Sequence, residues 1–248
     1  TATFAYDDAK RVAWHFIPLE GAKEREGLQI RHMNEAQRKA AHALLKVVLS
    51  EAGYGKATKI MELESLLAEL QKGKGGPLRD SERYYFSIFG QPTADGRWGL
   101  SVEGHHLSLN FTLEDGQVVS TSPSFLGANP AIVKGGAQDG MRVLADEEVL
   151  GRELLYAFPE KERARIVILA EAPRDIVTEA SRRASIGKPA GIAYKDMSPD
   201  QRKAVLQVVS FYAERMRPEI STNEMRAAYR ATMLPGITDT FLFAQRGF

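Results

Sequence analysis

Apolar residues recur at helical spacing in the first third of the chain and at strand spacing in the next. Residues 1–18 open with a helical turn and the apolar run Val12 to Ile17. Asn34, three positions before Gln37, fits a capping box, and Ala40, Leu44 and Val48 with Ala41, Leu45 and Leu49 form an apolar stripe. That stripe predicts an amphipathic helix ending near Gly53. A second helix is predicted over 57–70, with Leu63, Leu66, Leu67 and Leu70 inward, ended by the Gly-rich run KGKGGP at 72–77. From Arg83 the period becomes two: RYYFSIFG, a turn at 92–97, a long central strand, a turn at Glu114-Asp115-Gly116, and Gln117 to Ser122. This pattern predicts an antiparallel meander. The irregular segment 122–140 is long for a connection and reads as a functional loop over one end of the sheet. Helices follow at 146–158 and 159–166, then a short apolar strand at 166–169.

The central stretch, WGLSVEGHHLSLNFTL (98–113), changes apolar parity midway. Trp98, Leu100 and Val102 share one face, whereas Leu107, Leu109, Phe111 and Leu113 hold the opposite parity. A one-residue bulge at Gly104-His105-His106 would bring both apolar halves to one core. The other face would then carry Ser101, Glu103, His106, Ser108 and Asn110 as a pocket wall.

A second regularity spans the chain. GLQIRHMNEAQRKA from Gly27 and GIAYKDMSPDQRKA from Gly191 align without a gap 164 positions apart, with six of 14 residues identical. Both place a capping residue, Asn34 or Ser198, three before a glutamine, and the second adds Pro199 at the first helical position. Duplication is the reading these matches favour over chance likeness of two capped helices. It predicts an α+β protein of two related halves, 1–140 and 141–248, each a helix pair followed by antiparallel strands. In the second half a helix at about 223–233 leads to a strand at 240–247, and a counterpart of the histidine strand would follow Phe248. That half therefore reads as truncated, with an open sheet edge suited to a homo-dimer.

Composition narrows the function classes. With 33 Lys and Arg against 32 Asp and Glu, a net charge of +1 supplies no global field for nucleic acid, so nucleic acid is not an expected partner. The absence of cysteine excludes disulfides, thiolate metal sites and a cysteine nucleophile, and it leaves the compartment, exported or cytoplasmic, open. No apolar run approaches the roughly 20 residues of a membrane span.

The candidate chemistry gathers at the GHH stretch. His105 and His106 are candidate ligands for a divalent transition metal, zinc or iron, with Glu103 as a third ligand or as a base, and Glu103 and His106 as the catalytic pair. The competing reading is two histidines satisfied by hydrogen bonds in a polar cleft. Trp98, Ser108, Asn110 and, in the Asn-Pro turn, Asn129 are candidate contacts to a small-molecule substrate; the alternatives are an outward polar face for the strand residues and a self-held Asx turn for Asn129. Ser108 and His106 lie two apart, about 6 to 7 Å along a strand, too far for direct proton transfer. The run at 182–189 has no strand before it and no phosphate-loop fingerprint. The leading expectation is a metal-assisted hydrolase-type enzyme, beside a non-catalytic ligand-binding or partner-binding protein.

The segments WHFIP (14–18), MNEAQRKAAHALL (33–45), RYYFSIFG (83–90), VEGHHLSLNF (102–111) and SFLGANPA (124–131) resemble a family of bacterial and fungal proteins, the domain of unknown function numbered 3500. The resemblance covers nearly the whole chain. It implies a shared fold and weight on the GHH strand, and implies no established activity.

Overall fold

The computed structural model describes residues 2–182, 190–233 and 243–244. The chain divides into two compact units, Thr1–Leu144 and Ala145–Phe248. Together they make a mixed α and β protein with six α-helices among the described residues.

In the first unit, α1 (Glu35–Val48) begins with the capping box: Asn34 accepts from the Gln37 amide and the Gln37 side chain accepts from the Asn34 amide, each at 2.9 Å. The helix stops at Val48, not near Gly53, because Ser50 caps a new helix by accepting from the Gly53 amide at 3.1 Å. That helix, α2 (Glu51–Leu70), is longer than the sequence pattern suggests and contains both Gly53 and Gly55. Ile60, Leu63, Glu64 and Leu67 form its buried face, whereas Leu70 is exposed.

The sheet is organised by three antiparallel strands, β3 (Tyr85–Phe89), β4 (Arg97–Gly104) and β5 (Leu107–Glu114). Two short strands, β1 (Thr3–Phe4, parallel) and β2 (Leu28–Gln29, antiparallel), share the outer edge of β3. Beyond β5 lie β6 (Gln117–Ser120) and β7 (Ser124–Leu126), so the segment at 122–140 contributes a strand before becoming irregular.

The stretch at 98–113 is two strands joined by a two-residue turn, not one bulged strand. Gly104 pairs with Leu107, and His105-His106 make the reversal, with His106 in the left-handed region at φ 59°. The parity flip is the consequence, since a two-residue turn places residues of opposite sequence parity across from each other on one face. Phe86, Val102 and Leu109 are thus in register on the apolar face, as are Ile88, Leu100 and Phe111. α2 packs beside β5 and β7, and Leu45, Ile60, Tyr84, Val102, Leu107 and Leu109 are among the fully buried side chains. The opposite face carries two polar rows, Tyr85–Glu103–Ser108 and Ser87–Ser101–Asn110.

The second unit contains α3 (Ala145–Tyr156), α4 (Glu160–Ile166), β8 (Val167–Leu169), α5 (Pro199–Ala213), α6 (Pro218–Met233) and β9 (Phe243–Ala244). Leu154, Phe158, Ile166, Ile192, Met197 and Val205 form its core. The second capping box is present, Ser198 with Gln201, and Pro199 opens α5. The last helix starts at Pro218, five residues before the position the pattern suggests, since proline is favoured in a first turn. β8 and β9 pair in parallel, whereas antiparallel strands were expected in this half. Apart from β9, the strand expected at 240–247 lies outside the described residues, as do the edge expected beyond Phe248 and most of the 182–189 run. Among the described residues no helix is long and apolar enough to cross a membrane.

Gly104 is required by its neighbour: a Cβ there would fall on the Tyr84 ring, which is fully buried. Gly104→Ala is therefore expected to cost about 1–3 kcal/mol in urea denaturation. Gly55→Ala, within α2 and facing open space, is expected to stabilise by about 0.5–1 kcal/mol in the same measurement.

Candidate functional site

The polar face of the β3–β5 sheet is the floor of a cleft of about 290 Å³, walled by the segment running from Lys10 to Glu26. Ser87, Ser101, Glu103 and Tyr85 supply the floor, and Lys10, Lys23 and Arg25 stand on the wall. The wall is tied down at several points. Arg25 donates through Nη2 to the carbonyls of His15 (2.7 Å) and Ile17 (2.9 Å), and the His106 amide donates to the Phe16 carbonyl at 2.8 Å. The Phe16 ring stacks on Phe125, centroids 4.3 Å apart.

Glu103 is the chemically unusual group of the floor. Burial pushes its carboxyl above the ordinary carboxylate range, against the opposing effects of Arg25 and of hydrogen bonds headed by that from Ser108. The Ser108 hydroxyl donates to Oε1 at 2.9 Å, and Asn110 donates to Ser108 at 3.0 Å and to the Pro123 carbonyl at 3.1 Å. Arg25 Nε lies 3.5 Å from Oε2, an ion pair without hydrogen-bond geometry, so that Nε–H is a buried donor with no hydrogen-bond partner among the described residues.

Behind the turn sits a second constellation. The Glu64 carboxylate on α2 meets His105 Nδ1, while Arg79 places Nη1 3.1 Å from that nitrogen and 4.0 Å from Glu64. One ring nitrogen carries at most one hydrogen; with Nδ1 as donor to Glu64, Arg79 acts through its charge on the carboxylate. The Tyr84 hydroxyl donates to the His105 carbonyl at 3.0 Å. A void of about 10 Å³, the size of one water, adjoins Glu64, His105, Arg25 and Tyr85.

Of the residues singled out from sequence, Glu103, Ser108 and Asn110 form one hydrogen-bonded chain on the polar face. Trp98 does not join them: it pairs with Leu113 near the start of β4, on the apolar parity. Asn129, joined to Pro130 by a cis bond, lies two residues beyond Gly127, whose amide donates to the His106 carbonyl at 2.8 Å. The rings of His105 and His106 are 3.9 Å apart and tilted by 31°. Among the described residues, no group of three or more His, Asp or Glu is arranged to hold a metal.

The sequence reading missed Arg25, Glu64, Arg79 and Tyr84. Glu64 had a signal, a carboxylate at the i+4 position of an otherwise apolar face running Ile60 to Leu67. Arg25 and Arg79 lie in polar segments and had none.

The chain matches, over residues 1–234, the model of a family described as "Protein of unknown function (DUF3500)". The chain belongs to this family. No curated protein and no solved structure matches it. The family match, like the resemblance read from the sequence, assigns no activity, so the functional reading rests on the geometry above.

Two outcomes follow from the buried ionisable groups. Glu64→Ala leaves Arg79 without its carboxylate and is expected to lower stability by about 3–5 kcal/mol in urea denaturation. His106 is held neutral, its pKa lowered from 6.5 to about 3 by burial first, then by His105 and Arg79. The native state thus binds fewer protons than the unfolded chain between those values, so this contribution is full above pH 6.5 and is lost as pH falls towards 3. Glu103 acts with the opposite sign, its contribution declining as pH rises from 4.5 through its raised value. The urea midpoint of His106→Gln should accordingly fall less than that of the natural chain between about pH 6.5 and 5.

Proposed function

We propose that the chain is an acid–base enzyme for a small polar molecule, hydrolytic in type, with Glu103 as the group that exchanges a proton with the substrate. The observation that carries this reading is the coincidence at one residue of a buried carboxyl with a raised pKa and a place on the floor of an open cleft. A carboxyl whose proton affinity is raised can exchange a proton with water or with a leaving group, and an open cleft admits water as the nucleophile. Ser108, Ser101 and Asn110 orient the carboxyl, and the Ser87 hydroxyl, which donates to the Glu26 carbonyl at 3.2 Å, ties the wall to the floor. A binding protein without chemistry would use the same cleft and differ in showing no turnover.

His106 supports a metal-assisted form of the reading, because its imidazole stays neutral over the physiological range, the state a zinc or iron ion requires. Near-stoichiometric metal in the purified chain that disappears in His106→Ala would favour that form.

The internal duplication is part of the same proposal. Gly27 and Gly191 both have positive φ, 119° and 102°, and each precedes a 3₁₀ turn, Ile30–His32 or Tyr194–Asp196, followed by a buried methionine, Met33 or Met197. Arg38 and Arg202 both donate back to carbonyls of that turn region. β1 and β8, separated by the same 164 positions at their first residues, each pair in parallel with a strand that follows the helix pair.

The test is turnover of a panel of small esters, amides and glycosides by the natural chain, Glu103→Gln and Ala22→Trp, the last placing bulk on the exposed cleft wall. Activity should fall at least about a hundredfold in Glu103→Gln and be lost in Ala22→Trp, with both chains folded by circular dichroism. Activity that survives both substitutions would remove the cleft from consideration.

A further inference from the structure

The Glu64, His105 and Arg79 group behind the turn takes no part in the chemistry assigned to Glu103. A carboxylate accepts and does not donate, so the contact of Glu64 with His105 Nδ1 places the ring hydrogen on that nitrogen and leaves a lone pair on Nε2. Nε2 makes no hydrogen bond among the described residues, and the sealed, unpartnered side-chain atoms described in the first unit are Arg25 Nε and Asp80 Oδ2, not this one. It therefore keeps contact with water, although His105 as a whole is only 9% exposed. Three contacts hold the ring. The Tyr84 hydroxyl donates to the His105 carbonyl at 3.0 Å, Glu64 takes Nδ1, and the His106 ring covers one face at 3.9 Å between centroids. An imidazole in water exchanges tautomers and rotamers; here its neighbours fix both. Glu64 is buried, and Arg79, 4.0 Å away, supplies the charge that a carboxylate withdrawn from water requires.

The void of about 10 Å³ that Glu64 and His105 line is also lined by Leu19, Arg25 and Tyr85, and those three residues line the cleft of Glu103 as well. His105 directly follows the strand that carries Glu103, two positions on. We infer that His105 is the base of the hydrolytic reaction, taking through Nε2 a proton from the attacking water, with Glu64 and Arg79 as positioning residues. The inference rests on the reading of the cleft as the substrate site. The water oxygen bonds to the substrate's carbonyl carbon as its proton passes to Nε2. The bond to the leaving group breaks as Glu103 gives that group a proton, and the imidazolium then returns a proton to the Glu103 carboxylate through water, restoring both. Only water and substrate are consumed. The charge that forms on the imidazole lies against the Glu64 carboxylate, an attraction that is absent while the ring is neutral and grows as the water reacts. Acid and base thus fall to different groups, as they must, since a carboxyl that begins with its proton cannot also begin as the acceptor.

Nitrogen NMR of the histidine rings tests the geometry, and hydrolysis of p-nitrophenyl acetate tests the role. In the natural chain the His105 ring, identified by the signals missing in His105→Gln, should carry its hydrogen on Nδ1 with Nε2 bare. A hydrogen on Nε2 overturns the inference whatever the turnover. With p-nitrophenyl acetate, His105→Gln should lower kcat about a hundredfold and Glu64→Gln about tenfold, with KM within about twofold of the natural chain and both variants folded by circular dichroism. An unaltered kcat in His105→Gln overturns the base; if Glu103→Gln is inactive in the same assay, the reading of the cleft stands without it. Loss in His105→Gln beside full activity in Glu103→Gln removes Glu103 and retains His105. Absence of turnover by the natural chain rejects the hydrolytic reading and the part of His105 in it together.

Discussion

The reversal of the chain at His105-His106 is the constraint on which the rest of the first unit depends. Two residues must turn β4 into β5 while Tyr84 lies against Gly104 and donates to the His105 carbonyl. No side chain fits at Gly104, and the turn has no freedom to lengthen without moving the register of both strands. That register aligns Glu103 with Ser108 and Ser101 with Asn110, so the hydrogen-bonded floor of the cleft is a direct product of the turn. The same turn drives His105 towards Glu64 on α2 and offers the His106 amide to Phe16. Sheet, helix and N-terminal segment meet at one backbone reversal.

Much of this architecture is legible in the sequence because it follows from periodicity and capping. Asn34 with Gln37, and Ser198 with Gln201, mark their helix starts by chemistry that needs no tertiary context. The parity change between Val102 and Leu107 is equally visible, but its cause is not, because His-His lacks the glycine or asparagine by which two-residue turns are usually recognised. A bulge and a hairpin predict the same flip and different neighbours. The cleft's polar floor survives either interpretation, since Glu103, Ser108 and Asn110 remain on one face. Its wall does not, because Arg25 reaches the sheet across a segment with no regular period. Glu64 lies between: a carboxylate on an apolar helical face is a local inconsistency, and such inconsistencies mark places where a partner is needed.

The electrostatics of the unit divide into two kinds. Around Glu20, Glu24 and Arg83 the charges are partly exposed and satisfy one another, which fixes geometry more than it stabilises. Around Glu103 and Glu64 they are withdrawn from water, where each depends on a named partner, and His106 is kept uncharged by the same withdrawal. Hydrogen bonds to Glu103 come from neutral hydroxyl and amide groups, and these, with the Arg25 charge, oppose the burial that favours its protonated form. The balance leaves a carboxyl, paired with Arg25 and buried, whose proton affinity lies above the ordinary range.

The wall of the cleft is a length of irregular chain fastened to the sheet by the Arg25 fork, the Phe16 carbonyl and one ring stack, with little regular structure of its own. Segments held in this way open with a fraction of the free energy needed to unfold the strands beneath them. The shape of the cleft therefore rests on a few tertiary ties, Arg25 to the His15 and Ile17 carbonyls and Phe16 against Phe125, and not on a ladder of the wall's own.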